Sequence, residues 1–431
     1  MNSASNGTGQ TELTMITLLR QRNFAFLWFG QLVSILGDWV LFVALPFYVY
    51  NLTGSVLATG GMFVIRTLPT VVFGSFAGVL VDRWDRKQTL ITADLSRAAL
   101  LPLLLTVHSL EGLWIIYLIA FVESTISVFF YPAKSAILPH LVAARSLMAA
   151  NSLDAISTNL TRLIGPSLGG LLMGGVGLLG VVLVDTASYL ISGVMITCIS
   201  LSTDRAEERR VQSIAALRWM PLWRDWVAGL AFMQQERWLI SLFVTNGLVM
   251  LAEGIINVLF VVFVQDVLQG GSMEFGWLMT VRGLGSLVGG FIAGYASTRL
   301  VPMHMMTLGA VATGLVFLAM FNASALPAVL VLFALSGVTW VPYAVSLQTQ
   351  LQSGVIDHYR GRVFGAFGTM SALMLLSGAG LASALGDVLG IVPLFDSVAA
   401  LYVGAGVVVL VMLRRRQGAS QPVEGGNQVA D

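Results

Sequence analysis

Twelve times along this chain, about twenty mostly apolar residues run together between charges or turn-forming clusters. The runs fall at 24–49, 55–81, 89–108, 112–133, 148–173, 177–201, 238–263, 274–298, 303–321, 326–350, 361–385 and 390–413. A helix of about 20 such residues crosses the hydrocarbon core of a bilayer. Within lipid, only helices or closed barrels satisfy every backbone N–H and C=O group. The pattern predicts an all-α membrane protein of twelve transmembrane helices. Composition agrees, with 56% of residues hydrophobic and 10% charged, where a soluble domain carries about 25% charged residues. Cys198 is the single cysteine, so a disulfide scaffold is excluded. A net charge of +1 gives no electrostatic case for a nucleic-acid partner.

Orientation follows from the distribution of Lys and Arg, which are retained on the cytoplasmic side of membrane proteins. Taking alternate connections from the N-terminus, one set carries nineteen Lys and Arg residues, from Arg20 and Arg22 to Arg414, Arg415 and Arg416. The other set carries none, only acids such as Glu111, Asp266, Glu274 and Asp387. Both termini and the long connection at 203–237 are therefore expected in the cytoplasm, with the chain in the inner (cytoplasmic) cell membrane. The domain expectation is a disordered cytoplasmic tail at 1–17, a six-helix bundle at 18–202, a linker at 203–237, a second bundle at 238–413 and a tail at 414–431. Within the linker, Pro221 opens a stretch that places Trp223, Trp226 and Leu230 on one face, predicting a helix lying on the inner leaflet.

An offset of 216 residues lays the stretch from Gly60 over the stretch from Gly276 without a gap, with eight of 24 positions identical. The matches include Arg66 with Arg282, a charge at the same depth in two apolar runs. Two homologous six-helix halves around a central cavity are the parallel repeat expected of a transporter.

These features resemble the major facilitator superfamily. GVLVDRWDRK after the second run matches that family's loop signature at Gly78, Asp82, Arg83, Arg86 and Lys87. The stretch from Arg22 to Ser55, YPAKSAILPHLV, RLIGPSLGGLL and RGRVFG at Arg360–Gly365 are similar to the branch that contains enterobactin exporters and macrolide efflux proteins. The similarity covers about 18–413. It implies a cytoplasmic latch formed by the loop signature, and an exporter motif at Gly165, Pro166, Gly169 and Gly170. The loop's usual Gly is Asp85 here, and the Arg that other drug–proton antiporters carry on the fourth span is missing, leaving Glu123 as the charge on that run.

An ionised side chain in mid-membrane costs about 2.5–3.5 kcal/mol on insertion scales, so it faces a cavity or a partner. Asp38 and Arg66 lie near the middle of the first two runs, and Glu253 and Arg282 repeat the arrangement in the second half. Together with Glu123 they are the candidates for proton coupling; a static ion pair is the alternative for each acid. Asp94 and Arg97, three residues apart on one helix face, read as a structural pair, and Asp154 and Asp185 read as structural as well. Candidates for the substrate cavity are Gln31, Ser34, Asn159, Arg162, Asn246, Asn257, Tyr343 and Gln348.

Soluble-enzyme motifs fail on context: G-x-S-x-G at Ser167 lies inside an apolar run, and G-x-G-x-x-G at Gly175 is a short turn between two. The four histidines, His108, His140, His304 and His358, are too scattered for a metal site. No cofactor and no metal are expected. The function expected is proton-coupled efflux of small amphipathic molecules, drug- or siderophore-like, by a monomeric secondary transporter. Uptake or facilitated diffusion of a small solute is the alternative, and a membrane-embedded enzyme or sensor without net transport is the alternative of another class.

Overall fold

The computed structural model describes residues 15–81, 83–143, 146–200, 237–355 and 357–419. Asp82, nearly all of the linker 203–237 and most of both expected tails lie outside the described residues.

After a short turn of helix at Met15–Leu19, the first half holds α1 (Arg22–Thr53), α2 (Val56–Val81), α3 (Arg86–Leu100), α4 (Leu113–Leu141), α5 (Leu147–Gly175) and α6 (Gly177–Thr197). The second holds α7 (Arg237–Val262), α8 (Ser272–Ala296), α9 (Pro302–Phe321), α10 (Leu326–Gly354), α11 (Asp357–Leu389) and α12 (Ile391–Ala419). Among the described residues there is no strand. Large apolar side chains stand on the outside, with Phe291 82% exposed and Val331 68%, a pattern that suits lipid and not water.

Eleven of the helical segments are long and apolar enough to cross a membrane. The run expected at 148–173 forms α5, whose 29 residues reach about 43 Å at 1.5 Å per residue. Asp154, Arg162 and its Ser, Thr and Asn residues make it too polar to count among the eleven. Several helices outrun their apolar cores. The fourth, expected to end at 133, continues to Leu141 and takes Lys134 out of the connection and into the helix. The twelfth runs on to Ala419, past the boundary expected at 413.

Local chemistry sets the ends. Asp85 N-caps α3 by accepting from the Gln88 backbone N–H at 2.7 Å, which gives a physical use to its departure from the family's glycine. Pro102 cannot donate to an α-helical ladder, and the chain tightens into a 3₁₀ segment over Leu101–Thr106. Gly54 turns the chain between α1 and α2 at φ +61°, a left-handed conformation that glycine adopts without steric cost.

The helices group into two compact units. The first comprises the described parts of Met1–Ala44 and Val72–Leu217, and the second those of Leu45–Val71 and Arg218–Asp431. The division therefore cuts α1 and α2, assigning the end of one and the start of the other to the second unit. In the first unit α3 packs on α6 and α4, and α5 packs on α6. In the second, α8 and α9 pack on α10, α9 also on α12, and α7 on α11. A π-helical turn at Phe263–Val267 ends α7. It presents Asp266 to the Tyr50 hydroxyl at 2.7 Å, while Gln265 donates to Asn51 at 2.7 Å.

Glycines set the closest helix approaches. A Cβ on Gly169 would lie 2.9 Å from the Val40 carbonyl oxygen, and one on Gly165 would overlap Trp39. The GPSLGG stretch is thus the seat on which α1 rests. At Gly78, by contrast, a Cβ would meet no atom within 4 Å.

Candidate functional site

In the first unit, α1, α3, α4 and α6 bring acidic side chains to one place. The meeting of α1 and α6 depends on Gly37, where a Cβ would overlap the carboxylate of Asp185 and the hydroxyl of Ser188. That approach sets Asp38, the next residue, beside α6. Tyr189, fully buried, donates from its hydroxyl to Asp38 Oδ1 at 2.5 Å and lies 3.4 Å from Glu123 Oε1. It therefore stands between carboxylates from α1 and α4.

Arg97 enters from α3. Its guanidinium lies 4.8 Å from the Phe130 ring centre and 5.2 Å from that of Tyr189. It donates to Ser127 Oγ at 3.0 Å and sits 3.8 Å from Asp94 Oδ1. At 3.8 Å the Asp94 contact is an ion pair without hydrogen-bond geometry. Arg97 is in electrostatic reach of Asp38, Asp94, Glu123 and Asp185. Ser188 donates to Asp185 Oδ1 at 3.2 Å, and Gln31 donates to Ser192 at 3.3 Å. Four carboxylates are thus gathered with one guanidinium. Asp94 and Asp185 are fully buried and Glu123 is 4% exposed, whereas Asp38 is half-buried.

The second unit carries a smaller version. Glu253 on α7 accepts from Arg282 Nη2 on α8 at 3.2 Å and from the buried Tyr402 hydroxyl on α12 at 2.5 Å. The Arg282 guanidinium also lies 5.3 Å from the Phe333 ring centre and 5.9 Å from that of Phe317. In each unit, an acid on the first helix accepts from a tyrosine on the sixth. Tyr343, expected at the cavity, is buried within electrostatic reach of Glu253.

The other sequence candidates divide. Asp38 and Arg66 fall in different units, and Asp38 takes its short contact from Tyr189. Glu123 has the same tyrosine at 3.4 Å. Gln31, Ser34 and Asn246 are buried in helix packing, Asn246 donating to Ser371 at 2.7 Å. Asn257 is half-buried, and Asn159, Arg162 and Gln348 are exposed. In the loop signature, Arg83 is exposed. Arg86 lies 2.5 Å from His140 and donates to the Ala136 carbonyl at 3.2 Å. Lys87 donates to the carbonyls of Thr197 and Ile199 at 2.8 and 2.6 Å. These two cations tie the start of α3 to the ends of α4 and α6 inside the first unit. Lys134 pairs with Asp154 at 2.5 Å beside Phe24 and Trp28.

Sequence reasoning missed Tyr189, Tyr402 and the role of Asp185. A signal existed for α6: Asp185, Ser188, Tyr189 and Ser192 recur at helical spacing and draw one polar stripe along an otherwise apolar helix. For Tyr402 the internal repeat misleads, because the 216-residue offset lays Tyr189 over Ala405, one turn away.

Known proteins place the arrangement. Residues 13–428 match the family model described as transmembrane secretion effector. Macrolide efflux protein A of Streptococcus pyogenes is 26% identical over 85% of this chain and 90% of its own. Multidrug efflux pump Tap of Mycolicibacterium fortuitum is 29% identical over 91% of this chain and 97% of its own. Among solved structures, a bacterial homologue of the iron transporter ferroportin in its inward-facing state shares the fold, with a TM-score of 0.72 at 16% identity, over 91% of this chain and 98% of that one. With the family model covering residues 13–428, the chain belongs to the transmembrane secretion effector family, transporters of the major facilitator type and not enzymes.

Proposed function

We propose that this transporter exports small amphipathic molecules across the cell membrane in exchange for protons, by alternating access. The observation that carries the reading is the gathering of Asp38, Asp94, Glu123 and Asp185 around Arg97 in the first unit. Two like charges 4 Å apart repel by about 4 kcal/mol at an effective dielectric constant of 20, and one guanidinium offsets one carboxylate. The surplus is relieved by binding protons, and half-buried Asp38 is the member that reaches the bath. A change of helix packing that alters how well the cluster is solvated alters its proton content, which is what coupling requires. The efflux named for the relatives supports the outward direction, and their macrolide and multidrug labels support an amphipathic cargo. Asn159, Arg162, Asn257 and Gln348 remain the proposed contacts for it.

The test is export of candidate compounds from everted vesicles, with and without an imposed pH gradient. Accumulation that rises with an acid interior supports proton exchange, and accumulation indifferent to the gradient contradicts it. Both termini are proposed to be cytoplasmic. Cysteines placed at Thr53 and Ser324 should then react with an impermeant reagent added outside intact cells. Labelling from the cytoplasmic side alone would invert the orientation.

A further inference from the structure

We propose that Tyr189 is a proton relay between Asp38 and Glu123, making the enclosed acid of α4 reachable from the bath through the half-buried acid of α1. The inference rests on the reading of the first unit's acids as a proton site, and adds a path and a positioning residue to it.

The geometry begins with exposure. Glu123 is 4% exposed and Asp38 is half-buried, so a proton arriving from water meets Asp38 first. Between them stands a hydroxyl, a group that accepts and donates at once. The Tyr189 hydroxyl now donates to Asp38 Oδ1 at 2.5 Å, and Glu123 Oε1 lies 3.4 Å from the Tyr189 hydroxyl oxygen. A hydrogen bond forms at about 2.7–2.8 Å between oxygens, so the second leg closes with a shift of under an ångström. When Asp38 takes a proton from the bath, it becomes the donor and the Tyr189 oxygen the acceptor. The tyrosine's own hydrogen then passes to Glu123. One O–H bond breaks at Asp38 and one forms at Glu123, and Tyr189 exchanges one hydrogen for another and stays neutral.

The charged and titratable groups facing Tyr189 fit this role. From α1 comes Asp38, from α3 Arg97, from α4 Glu123, and from its own helix Asp185, while Asp94 stands against Arg97. Arg97 lies over the tyrosine ring at 5.2 Å, so the ring is held independently of the hydroxyl, whose hydrogen can turn about the C–O bond between acceptors. Tyr402 in the second unit differs. It donates to Glu253 Oε1, the atom that Arg282 also holds, and among the described residues no second carboxylate is recorded at its hydroxyl. The same residue pair is a clamp in one unit and a relay in the other.

The test needs no known substrate. The purified chain in lipid nanodiscs is moved from water to deuterium oxide, and the infrared carboxylic-acid band lost in Glu123→Gln is followed with time. Tyr189→Phe keeps the ring and its contact with Arg97 but removes the hydroxyl, and should slow exchange at Glu123 at least tenfold. Asp38→Asn, which closes the entrance, should slow it comparably, and the double variant should be no slower than either single one because both act on one path. Tyr402→Phe should leave the Glu123 band exchanging as in the parent. Parental exchange in Tyr189→Phe, or a Glu123 that carries no proton across the accessible pH range, would overturn the relay. Should Tyr189→Phe not fold, the Asp38→Asn arm decides alone. Slow exchange in the variants together with export indifferent to a pH gradient would leave the relay standing and remove proton-driven export.

Discussion

The two units hold the same acid–tyrosine pair in different surroundings. Around the enclosed guanidinium of Arg97 the first unit collects four carboxylates, three of which also face Tyr189. Around Tyr402 the second unit has Glu253 and Arg282, one charge of each sign, with side chains 17% and 19% exposed. The second unit's pair is balanced in charge, whereas the first unit gathers more acids than its one guanidinium offsets. The repeat thus supplied one geometry twice, and the charges added on α3, α4 and α6 set the first unit apart.

Removing the central cation should separate the units most. Arg97→Ala leaves buried carboxylates without their guanidinium, a change that costs about 3–5 kcal/mol in buried ion pairs. A sharp fall in thermal stability, or failure to accumulate, is expected in detergent-solubilised protein. Arg282→Ala should cost less, about 1–3 kcal/mol, because Glu253 keeps the Tyr402 hydroxyl and some water. Adding Glu253→Gln should recover part of that loss, since no unpaired charge remains. Equal losses for Arg97→Ala and Arg282→Ala would break the proposed contrast between the units. The smallest effect is expected at the rim of the first unit. The Asp154 side chain is 43% exposed, and Asp154→Asn should change stability by about 0–1 kcal/mol. A thermal shift as large as that of Arg97→Ala would show that Asp154, the acid of α5, belongs with the enclosed cluster.

What the sequence reveals follows from how each feature is encoded. The helices are legible because a membrane span is a contiguous property of about twenty neighbours, although α5 holds Asp154 and Arg162 inside such a run. Asp38, Glu123 and Glu253 are legible because a charge in an apolar run is conspicuous. Their partners are not, since Tyr189 meets Asp38 across 151 residues and Tyr402 meets Glu253 across 149. Tyrosine, unlike aspartate, is unremarkable in an apolar helix. Arg97 illustrates a different limit. Its spacing from Asp94 suggests a local pair, but that contact is 3.8 Å long and the guanidinium faces Ser127, Phe130 and Tyr189. Helical periodicity shows which residues share a face; which neighbour that face meets is decided by packing, here by the absent side chain of Gly37.

The claim that the first unit carries the coupling is tested most directly by comparing Asp38→Asn with Glu253→Gln in everted vesicles, for a compound the parent exports. Two rates are needed from each: export driven by an imposed pH gradient, and exchange of substrate at equal pH on both sides. Asp38→Asn is expected to lose the gradient-driven rate and keep exchange, whereas Glu253→Gln should lower both by a similar factor and remain responsive to the gradient. The opposite pattern, with Asp38→Asn responding to the gradient as the parent does and Glu253→Gln blind to it, would place the coupling in the second unit and contradict this account.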